Sequence, residues 1–575
     1  MKFFDHLLVL SDHFDIDNET KTSIAHISQL LNCSERHVKT ILRYLESEGY
    51  IKWDFQKGRG KKPRIRLLFT KDELYFQKAK RYVKEEKYQE AFHAAQALSD
   101  RQREEFQKWF LTHIGPSNQD ISKQEVDVLR YPFYETNLIM DPLNLRSRHD
   151  SHMVKQIFDR LVEYEPSTNQ LKPSIAHFWE SNDGRNWSFY LQKGIRFHHG
   201  RELTAHDVKA TFERFPVNDV LLENIDSIKV ISKTLIQFQL RTIDYLFPHY
   251  LSSMKTSIVP IELVKTNEMN FRKMPIGSGP YQLTCHDEEM VRLEVFTDYF
   301  NRRPWLDKIE IIKTPTLFKW EATNPLLLTA PDQSWNEIRM IEEGAKFLLF
   351  NCHKNGPMRH RHLREQIYKI VNLNEYCETS SGNIVAHSFI TSQSEKYQTP
   401  DSCNQTVIHK LDSPLKIAVQ QIREGVNHER EAKILQTQLT RAGISSTIEI
   451  VDLQLFDYPE TFQAFDLFVG GIALTEDRLL SLITTIQSKR LMLYKSFSDT
   501  MKVFVDQQIK SMKEVKDDAA RWRTYFQIEE YLKSNYAIRF LTHRFHIVYK
   551  PDNCSYQNID LDSSGRVDYR KVWRK

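Results

Sequence analysis

Ser34-Glu35-Arg36-His37-Val38-Lys39-Thr40-Ile41-Leu42-Arg43-Tyr44-Leu45-Glu46-Ser47-Glu48-Gly49 is the stretch on which the reading of this chain turns. Ser34 is a good N-cap, and Val38, Ile41, Leu42 and Leu45 recur at helical spacing until Gly49 closes the helix. That spacing leaves Arg36, His37, Lys39, Thr40 and Arg43 together on the open side. Upstream, Phe3, Phe4, Leu7, Leu8 and Leu10 form the apolar face of a first helix that ends near Phe14. Ile24 to Leu31 fits a second, with Ile27, Leu30 and Leu31 inward and Asn32-Cys33 as the tight turn. A helix, a tight turn and a helix bearing a row of donors is the geometry that sets side chains in a DNA major groove. Arg43 or Lys39 suits guanine or phosphate, and His37 and Thr40 are short readers near the start of the helix beside Ser34.

Downstream, Tyr50 to Phe55 and Arg64 to Phe69 read as two strands flanking Gln56-Lys57-Gly58-Arg59-Gly60-Lys61-Lys62-Pro63. This is a wing. Gly58 and Gly60 let backbone approach a phosphate, while Lys57, Arg59, Lys61, Lys62 and Arg64 supply charge. A run of charge alone is most often a solvated face. An anionic lipid surface would need an apolar stripe that the tip lacks. RNA is disfavoured because no aromatic-rich ribonucleoprotein motif is present. Joined to the helix-turn-helix, the wing points to double-stranded DNA.

The charge balance agrees. The chain of 575 residues has a net charge of +4. Residues 1–71 hold 13 Lys/Arg against 9 Asp/Glu, and the remaining residues hold 67 of each sign. Residues 33–71 alone are +7, so a basic head precedes a neutral body. Six cysteines lie scattered without CxxC spacing, which argues against a disulfide framework or a structural zinc site. No apolar run is long enough to span a membrane, and Asp5, His6, Asp12, Asp15 and Asp17 interrupt any export signal. The expectation is a cytoplasmic protein without a membrane partner.

Residues 72–124 read as a helical connector with room for a homodimer contact, although no sustained heptad shows. From about residue 125 strand and helix signals interleave. Val126 to Tyr131 reads as a strand, Glu431 to Ala442 as an amphipathic helix closed by Gly443, and Thr447 to Val451 as the strand after it. The expected fold is therefore α/β and multidomain, with a head over 1–71, the connector, and a body over 125–575.

In the body, Ile175-Ala176-His177-Phe178-Trp179-Glu180 and the run from Trp187 through Gly194-Ile195-Arg196-Phe197-His198-His199-Gly200 to Val208 resemble the signature of family 5 extracellular solute-binding proteins. Pro275-Ile276-Gly277-Ser278-Gly279-Pro280-Tyr281, Asp298-Tyr299-Phe300, Leu306-Asp307-Lys308-Ile309 and Phe347 to Asn351 resemble its later blocks. That family comprises the oligopeptide, dipeptide and nickel receptors of ABC importers. Joined to a winged head, with Cys33-Ser34-Glu35-Arg36-His37 and Gly58-Arg59-Gly60-Lys61, the chain resembles the SgrR family of transcriptional regulators. The resemblance implies a two-lobed periplasmic-binding-protein-like body, with one lobe of about 125–315 plus the last strands and another of about 316–535. It also implies a small solute, sugar-, peptide- or phosphate-like, bound between the lobes. Tyr131, Phe133, Tyr134 and Asn137, just beyond the first strand, are candidates to face it. The alternative is the receptor of an ABC importer, which would need an export signal.

Catalytic, cofactor and metal roles are not expected. His198-His199 suits a strand end before a turn at Gly200, and Gly277-Ser278-Gly279 lacks the lysine of a P-loop. His543 and His546 fall on opposite strand faces, and like charge from Arg359, Arg361 and Arg364 crowds Cys352, His353, His360 and His362.

Overall fold

The computed structural model describes residues 2–575 except 17, 55–61, 115–125, 134–137, 146, 217–218, 267, 315–321, 324–325, 328–334, 379–382, 396–410, 412, 424–425, 453–454, 457, 489–491, 553, 560 and 563–564. Its head contains α1 (Lys2–Ser11), β1 (Thr20–Lys21), α2 (Ile24–Leu30), α3 (Glu35–Ser47), β2 (Ile51–Asp54) and β3 (Arg64–Leu67). The three strands pair in the order β1-β3-β2. Asn32 (φ 45°) makes the turn between α2 and α3, and Gly49 (φ 77°) ends α3 in the left-handed region that glycine adopts without strain. Leu7, Leu10, Ile27, Val38, Ile41, Leu42, Leu45, Ile51, Ile65 and Leu67 form one buried core under this sheet.

Three helices follow: α4 (Lys71–Lys84), α5 (Tyr88–Gln96) and α6 (Asp100–Ile114). Thr70 caps α4 in a reciprocal box with Glu73. Ala79, Val83, Tyr88, Ala91, Phe92, Phe106 and Phe110 pack together and against Met290 and Ile312 of the body. The backbone N–H of Gln89 donates to Glu289 at 3.0 Å, and the Gln89 amide donates to the carbonyls of Glu288 (3.0 Å) and Lys313 (3.2 Å). At the other end Lys78 pairs with Asp5 at 2.6 Å and Lys71 with Asp12 at 2.5 Å, so α4 is tied to the head.

The body has two lobes. In the first, β4 (Val128–Phe133) lies parallel to Lys308–Lys313, which continues antiparallel through Met290–Val295 to Tyr281–His286. A helix, α7 (Arg148–Ile157), packs near this sheet, and a separate four-stranded antiparallel sheet occupies residues 176–240. The second lobe is a seven-stranded sheet whose centre is Gly344–Phe350, flanked by Ile538–His543 and Leu467–Ala473. Within it, Leu415–Arg423, the helix Glu429–Arg441 and Ser446–Asp452 form a parallel β-α-β unit. Trp335–Ile341 and Phe545–Pro551 pair as antiparallel strands.

Element bounds shift by one or two residues from the sequence reading, and the first body strand starts at Val128 rather than Val126. His198 is not in a strand: residues 197–200 form a turn closed by the Gly200 N–H to the Phe197 carbonyl.

Candidate nucleic-acid interface and interlobe seam

Helix α3 is set by its own sequence. The Ser34 hydroxyl accepts from the His37 N–H at 3.3 Å, and Val38, Ile41, Leu42 and Leu45 are almost wholly buried. Arg36, His37, Lys39, Thr40 and Arg43 are consequently all exposed, as is Ser34. Among the described residues no carboxylate pairs with Arg36, Lys39 or Arg43. Arg64 differs, because it donates to Glu19 at 3.1 Å and must give up that partner to reach a phosphate. Lys62, two residues before β3, is exposed. Lys57, Arg59 and Lys61 lie outside the described residues, as do Tyr134 and Asn137. Sequence reading passed over Lys21 and Lys52, exposed cations on β1 and β2 of the same sheet.

Tyr131 and Phe133 sit inside the first lobe, 2% and 5% exposed, among Leu129, Leu138, Met153 and Ile311. The Tyr131 hydroxyl bonds that of Tyr569, and burial raises its pKa. Both side chains line a small cavity with His149, His152 and Arg566.

The seam between the lobes is built from charges that no motif announced. Lys155 of α7 meets Glu476 of the second lobe at 2.6 Å and Asp568 at 3.6 Å. Burial alone lowers its ammonium pKa, but Asp568 and Glu476 outweigh that and raise it. Arg570 bridges Asp568 (3.1 Å) and Glu163 (2.9 Å). Asp159 is buried beside them, bonded by the Tyr299 hydroxyl at 3.1 Å and pushed up to about 7, chiefly by burial. His249 of the short helix Phe247–Tyr250 meets Asp477 at 2.6 Å. Arg478 reaches the Asn169 side-chain oxygen of the first lobe at 3.4 Å and is held by Glu343 of its own lobe at 2.9 Å.

The remaining histidine and cysteine motifs are structural in their contacts. His198 Nε2 donates to the Gly279 carbonyl at 2.9 Å, Nδ1 accepts from the Gly277 N–H at 3.3 Å, and burial pushes the ring down to about 4. Arg364 donates to the carbonyls of Met358, Arg359 and Asn535. Cys352 is buried, its thiol pushed up to about 11. Among the described residues no group of three or more His, Cys, Asp or Glu is arranged to hold a metal ion.

Residues 3–119 match the family described as sugar transport-related sRNA regulator N-term. Residues 170–317 match bacterial extracellular solute-binding proteins, family 5 middle. The chain is SgrR-like. It is 30% identical over 333 residues to the HTH-type transcriptional regulator SgrR of Yersinia enterocolitica, a match that spans 58% of each chain. To the SgrR of Pectobacterium atrosepticum it is 26% identical over 471 residues, 80% of this chain and 81% of that one. Among solved structures, NikA from Brucella suis in complex with Fe(III)-EDTA superimposes with a TM-score of 0.64 at 17% identity, covering 77% of this chain and 99% of NikA. That likeness concerns the fold: the body shares the fold of NikA, and the head is similar to the N-terminal region of SgrR regulators. Among the described residues no helix is long and apolar enough to cross a membrane.

Proposed function

We propose that this chain is a ligand-responsive transcriptional regulator, in which α3 and the wing bind duplex DNA and the seam of the two-lobed body binds a small solute. One observation carries the reading. The exposed cations Arg36, Lys39 and Arg43 share one face of a capped helix, on a head docked through α4–α6 to a body of solute-binding fold. Ser34 acts as the cap of that helix. Lys57, Arg59, Lys61, Lys62 and Arg64 supply the phosphate contacts. Solute binding controls DNA affinity only if it favours one arrangement of the lobes, with a typical coupling of about 1–3 kcal/mol. The similar proteins are named as transcriptional regulators and solute-binding proteins.

The full chain is the proper reagent, because α5 and α6 bury apolar surface against Met290 and Ile312. Its affinity for duplex DNA should fall steeply with salt as lysine and arginine contacts release counterions. Arg43→Ala should cost about 1–3 kcal/mol and relax preference at one base position, whereas Lys62→Ala should weaken all sequences alike. Salt-insensitive binding, or equal effects of the two changes across varied operators, would refute the assignment of α3.

A further inference from the structure

Residues 244–250 of the first lobe are gripped by the second lobe from two sides. On one side the Tyr245 N–H donates to the Lys513 carbonyl at 2.7 Å, and the Arg521 guanidinium donates to the Tyr245 carbonyl at 3.2 Å. The ammonium groups of Lys513 and Lys516 lie 5.8 and 4.8 Å from the ring centres of Tyr250 and Tyr245. Asp244 is wholly buried, and its nearest cation, Lys513 at 3.9 Å, belongs to the other lobe. On the other side His249 meets Asp477 at 2.6 Å, in side chains only 13% and 6% exposed. Asp477 also caps the helix Arg478–Gln487, accepting from the Leu480 N–H at 3.0 Å, so its carboxylate is held in place by the second lobe. The preceding residue, Glu476, takes Lys155 of α7. Beneath these polar ties the apolar cluster runs unbroken from Leu246, Phe247, Tyr250 and Leu251 into the second lobe.

Every one of these ties joins two groups of the chain itself. They therefore favour closure whatever solute occupies the seam. Charge-assisted hydrogen bonds sheltered from water are the stronger kind, and here they stand on an apolar contact that also resists separation. We propose that residues 244–250 are a latch by which the two lobes close on one another, so that the closed arrangement is populated in advance. A solute then acts by its differential affinity for the latched and unlatched arrangements rather than by creating closure. This goes beyond the sensing reading, and it holds whether or not α3 reads DNA.

The Tyr245 amide reports the latch directly, because its hydrogen bond crosses between the lobes. The Leu240 amide, bonded to the Arg185 carbonyl at 2.9 Å, stays within the first lobe and serves as the control. Residue-resolved hydrogen exchange on the full chain without added solute should show both amides protected. In Glu476→Gln with His249→Gln, Tyr245 should exchange roughly tenfold faster, the scale of one charge-assisted hydrogen bond, while Leu240 is unchanged. If the double change also loosens Leu240, His249→Gln alone provides the milder perturbation, and the same comparison decides. Equal Tyr245 exchange in variant and parent overturns the latch. So does a parent chain whose Tyr245 exchanges freely while Leu240 is protected. In that last case closure awaits a solute, and the sensing reading stands without the latch.

Discussion

Asp159 shows how far a single side chain departs from what its type suggests. It is buried beside Arg160, Glu163 and Arg570, and burial holds its carboxyl near 7 instead of 3.8. A carboxyl whose folded pKa is raised binds its proton more tightly in the folded chain than in the unfolded one. Its contribution is therefore fully present in acid and is lost as pH climbs from 3.8 through about 7. The stability of the parent minus that of Asp159→Asn should fall across this window and level off above it. Thermal melts of the two chains in matched buffers check the slope, and a flat difference would place Asp159 in an ordinary carboxylate environment. Gly277 makes a steric counterpart. A Cβ there would stand 2.0 Å from the Ile157 carbonyl oxygen, and one on Gly279 would stand 2.5 Å from the Ile157 carbonyl carbon. Gly277→Ala should destabilise the first lobe by about 3 kcal/mol, at the upper end for overpacking, as a shift of the denaturant midpoint would show. The sequence showed only that these glycines lack the lysine of a P-loop. The backbone they make room for belongs to α7, over 100 residues away, and no local pattern could name it.

At the scale of elements, legibility follows from where the stabilising contacts lie. Helix α3 was readable because its cap, its apolar face and its terminal glycine are all local, and its exposed face is what the buried one leaves over. Ile41→Ala should cost about 3 kcal/mol and melt the head, with loss of DNA binding, because Ile41 is wholly buried in its core. Calorimetry and a binding assay on the same sample test this. Strand β1 was missed: two residues, Thr20 and Lys21, carry no periodicity and exist as a strand only through pairing with Ile65 and Arg64. Helix α7 was missed for a different reason. His149, Asp150, His152, Lys155 and Gln156 are all buried, so its polar residues read as surface while its contacts make it core.

For the whole molecule, the head is not a bead on a string. Head and α4 are joined by the Asp5 and Asp12 pairs, and α5 is fastened to the first lobe by Gln89 and Glu289. Gln89→Ala with Glu289→Ala should cost about 1–2 kcal/mol, comparable to losing a helix cap and a hydrogen bond. The effect should appear in scanning calorimetry as a head transition separating from that of the body. One unaltered transition would show that the apolar contact with Met290 and Ile312 suffices. What the sequence by itself determined was the head with its capped helix, and the resemblance of the body to family 5 solute-binding proteins. Those rest on spacing, capping and motif order within short stretches of chain. Only the tertiary structure decided how the lobes meet. Lys155 with Glu476, His249 with Asp477 and Asp244 with Lys513 are separated by more than 200 residues in each case, and a charge becomes a seam only when folding removes it from water beside its opposite.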